Sequence, residues 1–502
     1  MLSASTGLLS TLIIIPIALH ELGAEQYGLW IVLWQLIGYL SLLDLGVAYA
    51  ATRDLAAAHS LGDRRTMVEI VSSGFYLYLG LGVVFFAFGW LILPVLPHVT
   101  LGSQATVAVA RLPLLLLLVH GLIAFPMRFL SSANIGAQAI AASSFVGFLQ
   151  GVTNTVIAAA LLLNDAGLIA LPIAIVSSDL IALGLQGIIF SRVYGFSSLS
   201  PSEVRASAAR RLLGFSLPLL ISGMGWTIVA GIDSVVISAR LGLVAVALFA
   251  VSYRIPSQLV QLMNLATDVT MPGLTSVMTT ESLPRRSATY AELLRLVGVS
   301  SGVLAAGVVV LLRPFMRLWV GPDQVADLAF VLVMAYLVVH HPVQHVLAVA
   351  LVAARKIRLF AAVTLAEAVA NLSLSIVAAG LFGVPGVLYA TAASGWINLG
   401  YALWKSSRLT FLRPRQVLAA AFGNAATAVG MGLMVGFLVG LFRFETSWVS
   451  FCLGAGIWVI FTLGGLAIVD RMLLQGRLHA TIHTLLNSAR SATPLQPIPD
   501  QL

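Results

Sequence analysis

Residues 212–272 read LLGFSLPLLISGMGWTIVAGIDSVVISARLGLVAVALFAVSYRIPSQLVQLMNLATDVTMP. Two apolar runs, near 212–239 and 243–272, meet at Arg240-Leu241-Gly242. Each exceeds the about 20 apolar residues that a hydrocarbon core of ~30 Å asks of a helix, so the stretch is a pair of membrane helices joined by a turn. The second carries Arg254, Gln258, Gln261, Asn264 and Asp268, a spacing of 4, 3, 3 and 4 that puts all five on one helical face. Against lipid such a face would cost several kcal/mol, so it meets water, a substrate or another helix. The competing use for it is interhelical glue, with Arg254 pairing to an acid on a neighbouring span.

Outward from this pair the same pattern recurs. Of 502 residues 59% are hydrophobic and 9% charged, whereas soluble domains carry about a quarter charged. A window of about 19 residues places spans near 4–20, 27–51, 68–95, 104–125, 139–163, 167–190, 212–239, 243–272, 292–316, 325–348, 358–381, 385–405, 416–441 and 447–470. The expected fold class is therefore an all-α polytopic membrane protein of about 14 transmembrane helices. The segment from Ser5 to Leu19 lacks a basic leader region and is expected to be a first span, not a cleaved signal. Pro494, Pro497 and Pro499 mark residues 474–502 as a cytoplasmic tail whose end is disordered.

The net charge is +8, and its position matters more than its size. With the N-terminus inside, 21 Lys and Arg fall in inside loops, among them Arg53, Arg64, Arg205, Arg211, Lys405 and Arg413, against four outside. That asymmetry supports an even number of spans with both termini in the cytoplasm and gives no nucleic-acid footprint. The outside loops, such as Asn164-Asp165-Ala166, are too short for an extracytoplasmic catalytic domain. With no P-loop, GxSxG or HExxH, and Cys452 as the single cysteine, the sequence predicts no enzyme, cofactor or resident metal.

An internal repeat organises the spans. Leu22-Gly23 and Leu241-Gly242 are 219 positions apart, as are Gly167 and Gly386, while Gln150 and Asn154 answer Glu367 and Asn371 at 217. The expected domains are an N-lobe of spans one to six (1–190), a cytoplasmic linker (191–211), a C-lobe of spans seven to twelve (212–405), and two further spans (406–473). Halves with an even number of spans form parallel repeats about an axis along the membrane normal.

Other polar residues within spans are candidates because they cost free energy to bury. Asp44 is a cavity carboxylate, an ion site or a partner of a cation; Asp233 follows the small residues of span seven. Arg111 snorkels or reaches an anion. Glu367 with Asn371 forms an i, i+4 pair whose symmetry with Gln150 and Asn154 favours a structural role over proton carriage. His340, His341 and His345 lack the further ligands that a metal site needs.

Leu22-Gly23, Tyr27-Gly28 and Leu42-Leu43-Asp44-Leu45-Gly46 running to Arg53 resemble the opening of polysaccharide transporters. These are the Wzx-type O-antigen flippases of the multidrug/oligosaccharidyl-lipid/polysaccharide (MOP) exporter superfamily. Pro218, Ile232-Asp233, Leu241-Gly242, Tyr253-Arg254 and Pro272 resemble the same family's second half. The resemblance implies two six-helix lobes, with spans one, two, seven and eight facing a central cavity, plus two extra C-terminal helices. It implies a lipopolysaccharide-type pathway in which a polyprenyl-diphosphate-linked oligosaccharide is flipped outward by alternating access, next to glycan polymerase and glycosyltransferases. Arg254, Arg111 and Arg53 would meet the diphosphate or acidic sugars, Gln258, Gln261 and Asn264 the hydroxyls, and Trp34 and Trp226 the pyranose faces. Asp44, Asp268, Asp233 and Glu367 are the ion-coupling candidates. A lipid II flippase or a MATE-type multidrug antiporter is the alternative, with a membrane glycosyltransferase or a scaffold behind them. Span one departs from the family in having neither a basic residue nor a carboxylate.

Overall fold

The computed structural model describes residues 2–40, 44, 46–91, 104–353, 357–440 and 447–473, so the expected tail at 474–502 lies outside the described residues. Helices in chain order are α1 (Leu2–Leu40), α2 (Val47–Ser60), α3 (Arg64–Trp90), α4 (Gln104–Gly136), α5 (Ile140–Leu162), α6 (Ala170–Val193), α7 (Ala206–Leu241) and α8 (Leu243–Thr280). They continue as α9 (Leu283–Trp319), α10 (Leu328–Ala353), α11 (Ile357–Phe382), α12 (Val384–Thr410), α13 (Pro414–Leu418), α14 (Asn424–Gly440) and α15 (Trp448–Leu473). A π turn over Ala419–Gly423 makes α13 and α14 one rod. Among the described residues there is no strand. Nothing else satisfies every backbone group inside lipid except a closed barrel.

Ten helical segments among the described residues are long and apolar enough to cross a membrane, and they coincide with ten of the expected spans. The other four expected spans fall on α1, α7 and α12. In α12 the reason for its lower hydropathy is visible: Thr391, Ser394, Asn398, Ser406 and Thr410 are all buried against protein and not against lipid. The second expected span differs in outline. Its helix reaches Leu40, and a separate α2 starts after Gly46, whose φ of 70° is in the left-handed region that an L side chain resists.

Two of the glycines at the expected repeat spacing share one backbone conformation. Gly23 has φ 73° and ψ 168°, and Gly242 has φ 90° and ψ 173°, so the break between the first two helices of each half is made the same way. The backbone counterpart of Gly167 (φ 65°) is Gly383 (φ 66°), 216 positions on, and not Gly386, which lies inside α12. Gly28 answers a different demand. A Cβ there would stand 1.9 Å from the Leu243 carbonyl oxygen, so only glycine lets α1 approach the start of α8.

The chain divides into two compact units: residues 1–252 with 361–394, and residues 253–360 with 395–502. In the first, α4 packs on α3 and α6, and α5 on α6 and α1. The expected linker is stapled to α3: the Ser72 hydroxyl donates to Ser200 O (2.6 Å), Tyr76 to Leu199 O (3.0 Å), and Arg205 N to Ser73 Oγ (2.8 Å). In the second, α9 packs on α10 and α14. Trp458 of α15 donates its indole N–H to Gly432 O of α14 (2.8 Å) and packs with Ala306 and Val435.

Candidate functional site

The polar stripe of α8 belongs to the second unit. Arg254, Gln261 and Asp268 are exposed and Gln258 and Asn264 half-exposed, whereas Pro256, Thr267 and Leu274 bury the opposite face. At about 100° per residue the five polar groups share roughly a third of the helix circumference. Beside them on the same open side lie Leu262, Leu265 and Val269, exposed at 48%, 48% and 73%. The face is therefore two-toned, a row of charge and amide next to an aliphatic rail. One end of the row is tied across to α10, where His345 Nε2 lies 2.8 Å from Asp268 Oδ1. Of the three histidines His345 is the one that meets this carboxylate, while His340 Nδ1 lies 2.9 Å from the Tyr336 hydroxyl; no metal-binding group of three or more such ligands occurs among the described residues.

Asp233, on α7 in the first unit, is 4% exposed. The Thr391 hydroxyl lies 3.4 Å from its Oδ2, and the Asn371 amide donates to Thr391 Oγ1 (3.0 Å). Asp233 Oδ1 and Asn371 Oδ1 are both buried with no hydrogen-bond donor facing them. A buried carboxylate with an open oxygen is costly until a proton or a cation neutralises it. Glu367, one turn before Asn371, is buried at 1% exposure.

A second polar centre in the first unit lines a cavity of about 460 Å³ among α2, α4, α5 and α6. His120 pairs through Nδ1 with Asp179, which also accepts from Gln150 Nε2 at 2.7 Å. Deeper, Asn134 Nδ2 donates to Gln186 Oε1 (2.8 Å), and Gln186 Nε2 to Ser143 Oγ (3.0 Å), so one amide joins α4, α5 and α6. The sequence reading passed over His120, Asp179 and Gln186. The available signal was an ionisable or amide residue inside each of spans four and six.

The remaining candidates scatter. Trp34 is 44% exposed, stacks on Trp30 at 5.8 Å between ring centres and lies 6.0 Å from the His120 ring. Asp44 accepts a hydrogen bond from Tyr78, which is fully buried. Arg53 donates to its neighbour Asp54 (2.7 Å), which also pairs with Arg211 (3.2 Å). Arg111 is exposed on α4, and Trp226 lies on α7 outside the described side chains. The structure brings Arg254, Gln258, Gln261, Asn264 and Asp268 onto one face, and it brings Asp233 to Asn371.

The all-helical fold is similar to that of solved transporters of the MOP superfamily. It is similar to the lipid II flippase MurJ in an inward closed conformation, at TM-score 0.67 and 14% identity over 94% of this chain and 99% of that one. It is also similar to an inward-facing multidrug resistance MATE family transporter (TM-score 0.67, 12% identity, 82% and 96% covered). A third likeness is to a MOP-superfamily transporter from Pyrococcus furiosus (0.58, 13%, 82% and 93%). The sequence model described as polysaccharide biosynthesis protein matches residues 1–278, more than half of the chain, and the chain belongs to that family. No curated protein matches its sequence.

Proposed function

We propose that the chain is a flippase that carries a polyprenyl-diphosphate-linked oligosaccharide from the cytoplasmic to the outer leaflet of a bacterial inner membrane, by alternating access and without covalent chemistry. The observation that carries this reading is the two-toned open face of α8. A lipid-linked sugar has a diphosphate, a hydroxyl-rich head and a hydrocarbon tail, and that face offers a guanidinium, three amides and an aliphatic rail in parallel. Arg254 meets the diphosphate through charge-assisted hydrogen bonds. Gln258, Gln261 and Asn264 meet sugar hydroxyls, and Leu262, Leu265 and Val269 accompany the tail. Arg111, Trp34 and Trp226 remain secondary contacts to the head, and Arg53, held by Asp54, is the weakest of these.

Asp233 is the leading ion-coupling group, since its buried, open oxygen calls for a proton or a cation. Asp268 with His345 forms a second exchangeable pair. Asp44, bound by Tyr78, and Glu367 act as supports of their helices. Lobes at 1–190 and 212–405, a linker at 191–211, spans 13 and 14 within 406–473 and both termini in the cytoplasm complete the reading. The partners are the glycan polymerase and glycosyltransferases that consume and supply such a lipid.

The test is outward delivery of the glycan in a strain whose only copy carries Arg254→Ala. Delivery should fall by about a hundredfold, the scale of losing a charged hydrogen-bonded contact of ~3 kcal/mol, while membrane insertion is unchanged. Normal delivery would remove Arg254 from the site.

A further inference from the structure

We propose that the corner between α12 and α13 is a docking surface for anionic phospholipid headgroups of the cytoplasmic leaflet; this rests on the cytoplasmic placement of that corner proposed above. Lys405, Arg408, Arg413 and Arg415 lie within eleven residues, and no aspartate or glutamate occurs between Glu367 and Glu445. Several cations elsewhere are paired in place: Arg53 and Arg211 with Asp54, Arg65 with Glu69, and Arg285 with Glu281. Among the described residues these four form no ion pair.

Two aromatic rings accompany the uncompensated charge. Trp404 is 44% exposed, with the Arg408 guanidinium 4.4 Å and the Lys405 ammonium 5.5 Å from its ring centre. Cations over an indole are held by its electron-rich face and kept out of the apolar layer beneath. Phe411 is 71% exposed and has φ 55°, a left-handed conformation that an aromatic residue adopts only against steric resistance. The corner imposes it: the Ser287 hydroxyl of α9 donates to Thr410 O, Thr410 Oγ1 bonds Ser406 O (2.9 Å), and the Gln416 side chain accepts from Arg413 N (2.8 Å). In water an outward phenyl ring held at a strained backbone gains nothing. At the boundary of acyl chains and headgroups it is buried, beside Trp404, a residue type enriched at that depth. Positive charge over an indole, with an outward phenyl ring in the same corner, is complementary to a phosphate with its acyl chains, and polybasic segments next to a span attract anionic lipid in the same way.

The experiment uses the full chain in detergent, exchanged into mixed micelles of phosphatidylcholine and phosphatidylglycerol, with retained lipid counted by mass spectrometry after washing. The native chain should retain phosphatidylglycerol over phosphatidylcholine. A variant with Lys405→Gln, Arg408→Gln, Arg413→Gln and Arg415→Gln should lose that preference by at least about tenfold, since each of the four cations near an anionic surface is worth up to about fivefold. A comparison variant with Arg64→Gln, Arg65→Gln, Arg192→Gln and Arg210→Gln should keep it. Equal loss in both, or none in the first, would overturn the proposal. Inorganic phosphate that displaces the lipid would overturn it as well, by showing that the corner takes the anion and not the lipid. Micelles expose both ends of every helix, so the result is independent of orientation. Reaction of Leu412→Cys, in a Cys452→Ala background, with an impermeant maleimide in intact cells reports the side separately.

Discussion

Replacing Asp233 by asparagine should separate stability from transport. The carboxylate is 4% exposed; Thr391 Oγ1 stands 3.4 Å from one oxygen, and the other faces no donor. Leaving a buried polar atom unpaired costs about 1–3 kcal/mol, more when it is charged. Asparagine keeps the shape and removes the charge, so no buried anion is left at the open position. Asp233→Asn should therefore raise stability by about 1 kcal/mol or leave it unchanged. Asp233→Ala opens a void beside Thr391 and should lose about 1–3 kcal/mol. Both should abolish the dependence of glycan delivery on the proton or cation gradient, because neither side chain binds a proton or a cation near neutrality. The assays are helix loss on heating in detergent, followed by circular dichroism, and delivery measured in reconstituted vesicles with and without a gradient. Strong destabilisation by asparagine with gradient dependence intact would show that the charged carboxylate is held by the fold and serves only packing.

Three further outcomes follow from local geometry. Gly28→Ala puts a methyl group 1.9 Å from the Leu243 carbonyl oxygen, so α1 and α8 must separate; a loss of about 1–3 kcal/mol or a failure to accumulate in the membrane is expected, and wild-type levels and melting would refute the close approach. Gln186→Leu removes the amide that joins α4, α5 and α6; at about 0.6 kcal/mol for each interhelical hydrogen bond in a membrane, the loss should be about 1–2 kcal/mol, and a cycle with Asn134→Leu should be non-additive. At the start of α3 the Thr66 hydroxyl and backbone N–H hold the Asp63 carboxyl below the usual carboxylate range. The cap is therefore fully present above the ordinary carboxylate value and is lost as pH falls through the lowered one, so amide protection of residues 64–67 should drop in acid, and Asp63→Asn should remove that pH dependence.

Much of this was legible in the letters. Apolar runs of span length report the membrane, because lipid leaves the backbone no choice but to bond within its own helix. The five polar residues of α8 were readable as one face because helical period converts spacing directly into direction. The two glycines that break each half were readable from their matching positions, and Gly23 and Gly242 share one conformation.

What folding alone decided is which polar groups meet. Asp233 and Asn371 are far apart in the chain, and nothing in either segment announces that Thr391 would bridge them. His120, Asp179 and Gln150 come together from three helices, and His345 reaches Asp268 across 77 positions. The sequence left Asp44 open as a cavity carboxylate, an ion site or a partner of a cation, and only folding brings the Tyr78 hydroxyl to it. Hydropathy fixes that a residue resides in a span, since transfer to lipid is a property of the segment. A partner is a property of two segments packed side by side, and that depends on the rotation and depth of each helix, which only the tertiary structure sets.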